Sequence, residues 1–173
     1  MERAVIHLNI ADFAVAVETL RQPALRDWPL VVAPLGAPRA VVYDMSETAF
    51  GQGIRKGMPL ARARRINRDL KILPPRFHQY EQVMKRLVKE GLTFTPRVES
   101  GRLDGHIFMD VTRSGRLFGP PPDVAFKLNR AFKKQFGLDP VWSVATNKLV
   151  AKVATRLVKP AGEYIVPPGD ESA

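Results

Sequence analysis

The chain has 173 residues, enough for one domain or two small lobes around a real core, and no cysteine, so neither a disulfide nor a thiolate-held metal is available to it. No apolar run nears the roughly 18 residues of a membrane span, and no basic segment leads into an apolar one at the N-terminus; a cytoplasmic protein without membrane partner or leader is expected. Lys and Arg number 27 against 17 Asp and Glu, a net charge of +10 that points to a polyanion.

Val5–Ile10 is a short apolar run, the pattern of a buried strand. Ala11–Leu20 follows with Phe13, Val17 and Leu20 at helical spacing, so a strand end and a helix start converge. Pro23–Pro29 breaks the pattern, and Leu30–Ala33 and Arg39–Tyr43 read as two strands joined by a Gly/Pro turn. Met45–Phe50 reads as a helix stopped by Gly51, and Pro59 opens a basic helix, Leu60–Ile66. Leu70–Leu73 is a short strand before Pro74. In Phe77–Leu92 the stripe Tyr80, Val83, Met84, Leu87 and Val88 predicts a helix. Val98–Glu99 and Ile107–Val111 read as strands, with Gly101 and Gly105 marking a bend between them. Asp123–Phe136 is a long amphipathic helix ended by Gly137, Val141–Val144 a strand, Asn147–Leu157 a basic helix stopped before Pro160, and Tyr164–Val166 a last strand. This mixed order predicts an α+β fold carrying a small inserted lobe.

The positive charge is clustered. Arg55, Lys56, Arg62, Arg64, Arg65, Arg68 and Lys71 stand against Asp69 alone; a second run from Lys127 to Lys159 stands against Asp139 alone. Nucleic acid is the favoured partner, ahead of a membrane surface, an acidic protein or simple solubility. On the basic helix, Arg62 and Arg65 would contact backbone phosphates, which position a protein but read no sequence; the plain alternative is a solvated helix face.

Two segments, Val5–Glu18 and Val98–Thr112, read like the metal-carrying strands of a nucleotidyl-transfer palm, yet neutral residues, Asn9, Gly105 and His106, stand where carboxylates belong. Two-metal chemistry needs clustered carboxylates. Asp12 and Asp104 lie near these positions, but Asp12 falls a helical turn beyond the strand and Asp104 would face the opposite side of a regular strand unless a bulge rescued it. His106 could ligate a metal, but His7 and His78 are distant in sequence, and a lone histidine is more often a hydrogen-bonder. There is no nucleophile elbow, Walker loop or His-Glu-x-x-His, and Ser46, Ser100, Ser114 and Ser143 have no evident histidine partner. Gly51-x-Gly53 before Arg55 and Lys56 could cradle a phosphate but is more often a turn; Phe50 and Tyr43 could stack on a base but more often pack in a core.

Five segments, VIHLNIADFAVAVE, FGQGIRKGMPLARARRI, LPPRFHQYEQV, FMDVTRSGRLFGPPPDVA and TNKLVAKVATRLVKPAGEYIVPPG, resemble the Y-family of translesion DNA polymerases, in that family's order and over almost the whole chain. The resemblance implies a palm with a mixed or antiparallel sheet and helices packed on it, interrupted by an α/β fingers lobe. Residues 1–20 would be the first part of the palm, 21–75 the lobe, 76–168 the rest of the palm, and 169–173 a tail leading to an absent thumb. Carried over residue by residue, the family's metal-ligating aspartates fall on Asn9 and Ala11, and its Asp-Glu pair on Gly105 and His106; Asp110 matches but reads as structural. The aromatic that screens the sugar is replaced by Ala14, and the Tyr and Arg that contact the triphosphate by Met45 and Thr48. Lys148, Lys152 and Lys159 fit the family's basic helix, Lys159 matching a triphosphate-contacting lysine.

Kept scaffold with lost carboxylates is similar to the ImuB-type members, which are catalytically degenerate. That likeness implies a protein of the DNA-damage response and induced mutagenesis that is not an enzyme, binds Mg²⁺ weakly or not at all, and acts as a scaffold for primer–template DNA, the sliding clamp and a separate error-prone replicative-type polymerase. An active translesion polymerase with displaced metal ligands and a pure protein-interaction module are the alternatives.

Overall fold

In the computed structural model, which describes residues 2–170, the chain runs β1 (Val5–Asn9), α1 (Phe13–Arg21), β2 (Leu30–Val32), β3 (Asp44–Met45), α2 (Glu47–Gly51), α3 (Leu60–Ile66), β4 (Lys71–Leu73), α4 (Phe77–Leu92), β5 (Val98–Ser100), β6 (His106–Asp110), α5 (Gly115–Phe118), α6 (Pro121–Phe136), β7 (Val141–Ala145), α7 (Lys148–Leu157) and β8 (Glu163–Ile165). Residues 171–173 of the expected tail lie outside the described part. The chain divides into one unit of residues 1–11 and 81–173 and another of residues 12–80. No helix of the described residues is long and apolar enough to cross a membrane.

The first unit is built on a five-stranded sheet in the order β5-β6-β1-β7-β8, antiparallel except for the parallel β7–β8 pair. Its centre, β1, is buried along its whole length. Side chains alternate between the faces of a strand. Ile6, Leu8, Ile107 and Met109 therefore share one apolar face, against which α4 comes so close at Gly91 that a Cβ there would sit 3.3 Å from the Met109 sulfur. Val124, Leu128 and Phe132 of α6, spaced to line one side of a helix, are fully buried. The opposite face of β1 carries His7 and Asn9, and α7 covers it: Thr155 bonds His7, and the Ser143 hydroxyl of β7 donates to the Ala151 carbonyl over 2.6 Å. The Asn147 side chain caps α7 by accepting the Val150 N–H over 3.0 Å.

The second unit has a three-stranded sheet, β3-β2-β4, around a core that includes Val31, Val42, Ile54, Leu60 and Leu70. Here the expected elements shift. Arg39–Tyr43 makes a single isolated bridge, Val41 to Pro59, instead of a strand. Pairing moves to Asp44–Met45, and the following helix starts at Glu47, because Ser46 caps it, its hydroxyl oxygen accepting the Ala49 N–H over 3.2 Å. In the first unit α7 and β8 keep their places within a residue, whereas β6 begins at His106 rather than Ile107 and so brings that histidine into the ladder. The mixed α+β class is as expected.

A buried histidine relay at the palm centre

The register of the five-stranded sheet places Asn9 beside His106 and His7 beside Phe108. His7, fully buried, stacks on Phe108 with ring centroids 4.3 Å apart. Its Nδ1 lies 2.8 Å from the Thr155 hydroxyl and its Nε2 lies 2.8 Å from His106 Nδ1. The two imidazoles are coplanar within 3°, and their 5.1 Å centroid separation is the N–N distance plus two ring radii: the rings lie end to end, not face to face. Burial, and His106 beside it, push the His7 imidazole down to about 3, so it is neutral at physiological pH. Burial also lowers His106; Asp104 opposes this, while Lys152, Lys159 and Arg156 add to it. Asn9, 2% exposed, leaves its Nδ2 without a hydrogen-bond partner.

These groups do not fit a pair of divalent cations. The unpartnered Asn9 atom is a donor, and a cation needs acceptors. The facing lone pair of the histidines is spent on their mutual hydrogen bond. Among the described residues no group of three or more His, Cys, Asp or Glu is placed to hold a metal ion. Gly105 has φ 75°, a conformation that an aspartate there would adopt only under strain, and its carbonyl accepts the Ile10 N–H. Asp104 sits in the turn before β6, where its Oδ1 accepts the His106 backbone N–H over 3.1 Å. Asp110 is structural, as expected. Its Oδ1 accepts from Thr112, and Arg3 and Arg97 each lie 3.7 Å from its Oδ2. Burial pushes its carboxyl up, and these partners more than reverse the effect, holding it below the ordinary range.

The other predicted residues scatter. Lys152 is half-buried on α7, Lys159 exposed just beyond it, and Lys148 engaged by Glu99. Arg62 and Arg65 project from α3 while Leu60 and Ala63 are buried. Ala14 and Met45 are buried, Ala11 is half-buried, Thr48 is exposed on α2, and His78 is exposed. Gly51-x-Gly53 ends α2 in a turn, the Gly53 N–H bonding the Phe50 carbonyl. Phe50 is no core residue: it is 41% exposed with the Arg55 guanidinium 3.8 Å above its ring. Tyr43 packs on Phe77 and Tyr80.

Sequence reasoning missed two buried acids of the second unit. Glu18 is fully buried, with Tyr80 donating to it over 2.8 Å and Arg76 bound to both carboxylate oxygens. Asp44 accepts the Ala14 and Val15 N–H groups over 2.9 and 3.3 Å and pairs with Lys56 at 2.7 Å. It replaces a cap for α1, since Asp12 has a left-handed backbone, makes no capping bond and lies 3.9 Å from Lys56 instead. An acid inside an apolar run was the available signal for both.

The family model described as impB/mucB/samB matches residues 8–156. This chain belongs to that family, the Y-family of DNA polymerases. DNA polymerase IV of Desulfatibacillum aliphaticivorans is 36% identical over 166 residues, covering 96% of this chain and 41% of that protein. DNA polymerase IV of Halorhodospira halophila is 35% identical over 171 residues, covering 99% and 48%. DinB from Sulfolobus solfataricus superposes with a TM-score of 0.89 at 25% identity, covering 95% of this chain and 48% of that one. A ternary complex of Dbh DNA polymerase superposes with a TM-score of 0.87 at 24% identity, covering 96% and 49%. The chain therefore spans about half the length of the relatives it matches. These relatives, named as polymerases, overturn the expectation that the chain is not an enzyme. That expectation equated catalysis with carboxylates at four positions. Phosphoryl transfer rests as much on positioning and on fixed charge around the reacting phosphate.

Proposed function

We propose that this chain forms the palm and fingers part of a damage-tolerance DNA polymerase, which holds primer–template DNA through its phosphates and extends the primer, with its acidic groups displaced from the family pattern. The observation that carries this reading is the likeness over nearly the whole chain to relatives named DNA polymerase IV. The exposed arginines of α3 and the lysines of the α7 region suit sequence-independent phosphate contacts. The residues at Asn9, Ala11, Gly105 and His106 favour a second reading, a place among the ImuB-type members with a sliding clamp and a separate error-prone polymerase as partners.

The test is extension of a labelled primer–template by the purified protein, in Mg²⁺ and in Mn²⁺, with DNA binding followed by anisotropy across salt. Templated addition of nucleotides and affinity falling steeply with salt are expected. Binding without any extension in either metal would remove the catalytic part of the proposal, and no binding at low salt would remove all of it.

A further inference from the structure

The β1–β6 ladder has two ends. Asn9 pairs with His106 at one and Val5 with Asp110 at the other, about 13 Å away at the usual rise per residue. At the Asp110 end a trough of about 840 Å³ opens between Arg3, residues 92–97 and residues 112–118. That volume falls within the range of roughly 300–1,000 Å³ typical of ligand sites.

The walls of the trough are fixed by hydrogen bonds within the chain. The Thr95 hydroxyl donates to the Asp110 carbonyl over 2.7 Å, the Ser114 hydroxyl to the Phe94 carbonyl over 2.9 Å, and the Ala4 N–H to the Thr112 hydroxyl oxygen over 3.0 Å. The floor is apolar. Phe94 meets Phe118 edge to face with ring centroids 5.1 Å apart, and Leu92 and Leu117 stand beside them, Leu117 81% exposed. The rim is cationic: Arg3, Arg97 and Arg113 line it, and Asp110 is the one acid among the described lining residues. That acid is already engaged. Its Oδ1 holds the Thr112 hydroxyl and N–H, and its Oδ2 lies 3.7 Å from each of Arg3 and Arg97. A charge-assisted N–H to carboxylate bond runs at about 2.7–2.9 Å, so both guanidinium forks keep donors for a second acid.

We infer that this trough docks an acidic segment of a partner protein, its carboxylates on Arg3, Arg97 and Arg113 and an aromatic or aliphatic side chain against Phe94, Phe118 and Leu117. The excess of guanidinium over carboxylate calls for an anion, and the exposed apolar floor calls for a hydrophobic anchor; a peptide brings both on one length of chain. A nucleic acid brings the charge without the anchor, and the two half-buried rings pack on each other rather than standing open as stacking platforms. The open rim suits an extended segment rather than an enclosed small molecule. The trough lies outside the residues proposed to hold primer–template DNA, so the inference goes beyond the polymerase reading and stands whether or not the chain extends a primer.

The experiment uses the whole protein and an array of fluorescein-labelled decapeptides of Asp and Glu, each with one Phe, Trp or Leu at a different position. Anisotropy of the tightest binder is measured across salt, beside the same peptide with Asn and Gln for its acids, the same peptide with Ala for its anchor, and a single-stranded DNA of equal charge. The acidic peptide should bind with an affinity that falls as salt rises, and each altered peptide should bind about tenfold more weakly. Arg113→Glu reverses an exposed charge and Leu117→Ser trims an exposed side chain, so both variants keep the fold. Each should weaken the peptide about tenfold and leave primer–template binding within about twofold. Acidic peptides that bind no better than their Asn and Gln form overturn the inference. Affinity unchanged in both variants overturns it as well. So does single-stranded DNA that binds as tightly as the peptide and is lost in the same variants, which would make the trough a nucleic-acid surface.

Discussion

The two units bury polar groups in opposite ways. In residues 12–80 each buried acid is fully matched: Glu18 by Arg76 and Tyr80, Asp44 by two backbone N–H groups and Lys56. In the palm-centre unit the buried groups are neutral, strung in a line, and incompletely matched, with Asn9 Nδ2 orphaned and His106 Nε2 left over. A matched buried charge fixes a fold. An unmatched neutral donor or acceptor costs stability and is kept where a ligand can complete it. The difference separates scaffold from site without reference to any motif.

The contrast is broken most directly by removing a partner on the matched side. Arg76→Leu would leave the Glu18 carboxylate buried with only the Tyr80 hydroxyl, and about 3–5 kcal/mol of stability should be lost, read as the shift in urea unfolding free energy. A loss below about 1 kcal/mol would mean that Glu18 reaches water, as a surface pair does. Asp44→Ala strips the start of α1 of its acceptor and leaves Lys56 with the more distant Asp12; about 3 kcal/mol is expected by the same measurement. If Asp44→Asn costs as much as the alanine variant, the carboxylate's charge, not its lone pairs, is what α1 requires.

How much of this was legible beforehand follows the range of the interactions. β1, α4, α6 and α7 declare themselves in apolar spacing and in the Asn147 and Gly137 caps, which are local. The Y-family likeness, carried by ordered motifs, located the palm centre and the four neutral positions. What stayed hidden is long-range. His7 and His106 are 99 residues apart, and only the β1–β6 register makes them neighbours. His106 joined the ladder because β6 started one residue earlier than the apolar run suggested. Asp44 fell between the expected strand Arg39–Tyr43 and the expected helix Met45–Phe50 with no role assigned, and its function as the acceptor for α1 depends on a helix 30 residues away. The reading of Asn9, Gly105 and His106 as a sign of no catalysis failed differently: it took absent ligands for absent chemistry.

On the palm side pH sharpens the comparison. His7 titrates near 3 when folded and near 6.5 when unfolded, so the unfolded chain binds the extra proton. Its contribution is complete above pH 6.5 and is lost as pH falls from there toward 3; about 2 kcal/mol should disappear between pH 7 and pH 5. Unfolding free energies across that interval, compared with His7→Gln, isolate the effect. The variant should be less stable at pH 7 but flatter with pH; an equal slope would place the titration on another group.

The smallest effect carries the opposite sign. Asn9 is 2% exposed with its Nδ2 unpartnered, so an apolar side chain of similar volume removes an unpaid desolvation cost. Asn9→Leu should leave the fold intact and raise stability by about 1 kcal/mol, whereas the same measurement on Arg76→Leu falls by several times that amount. The check is the urea unfolding free energy of Asn9→Leu measured beside that of the unaltered protein. If stability rises, the buried amide is a net cost to the fold, unlike the matched acids of the other unit. If it falls, the Asn9 amide makes a hydrogen bond in solution that the apolar variant cannot replace, and the contrast between the two units fails at this residue.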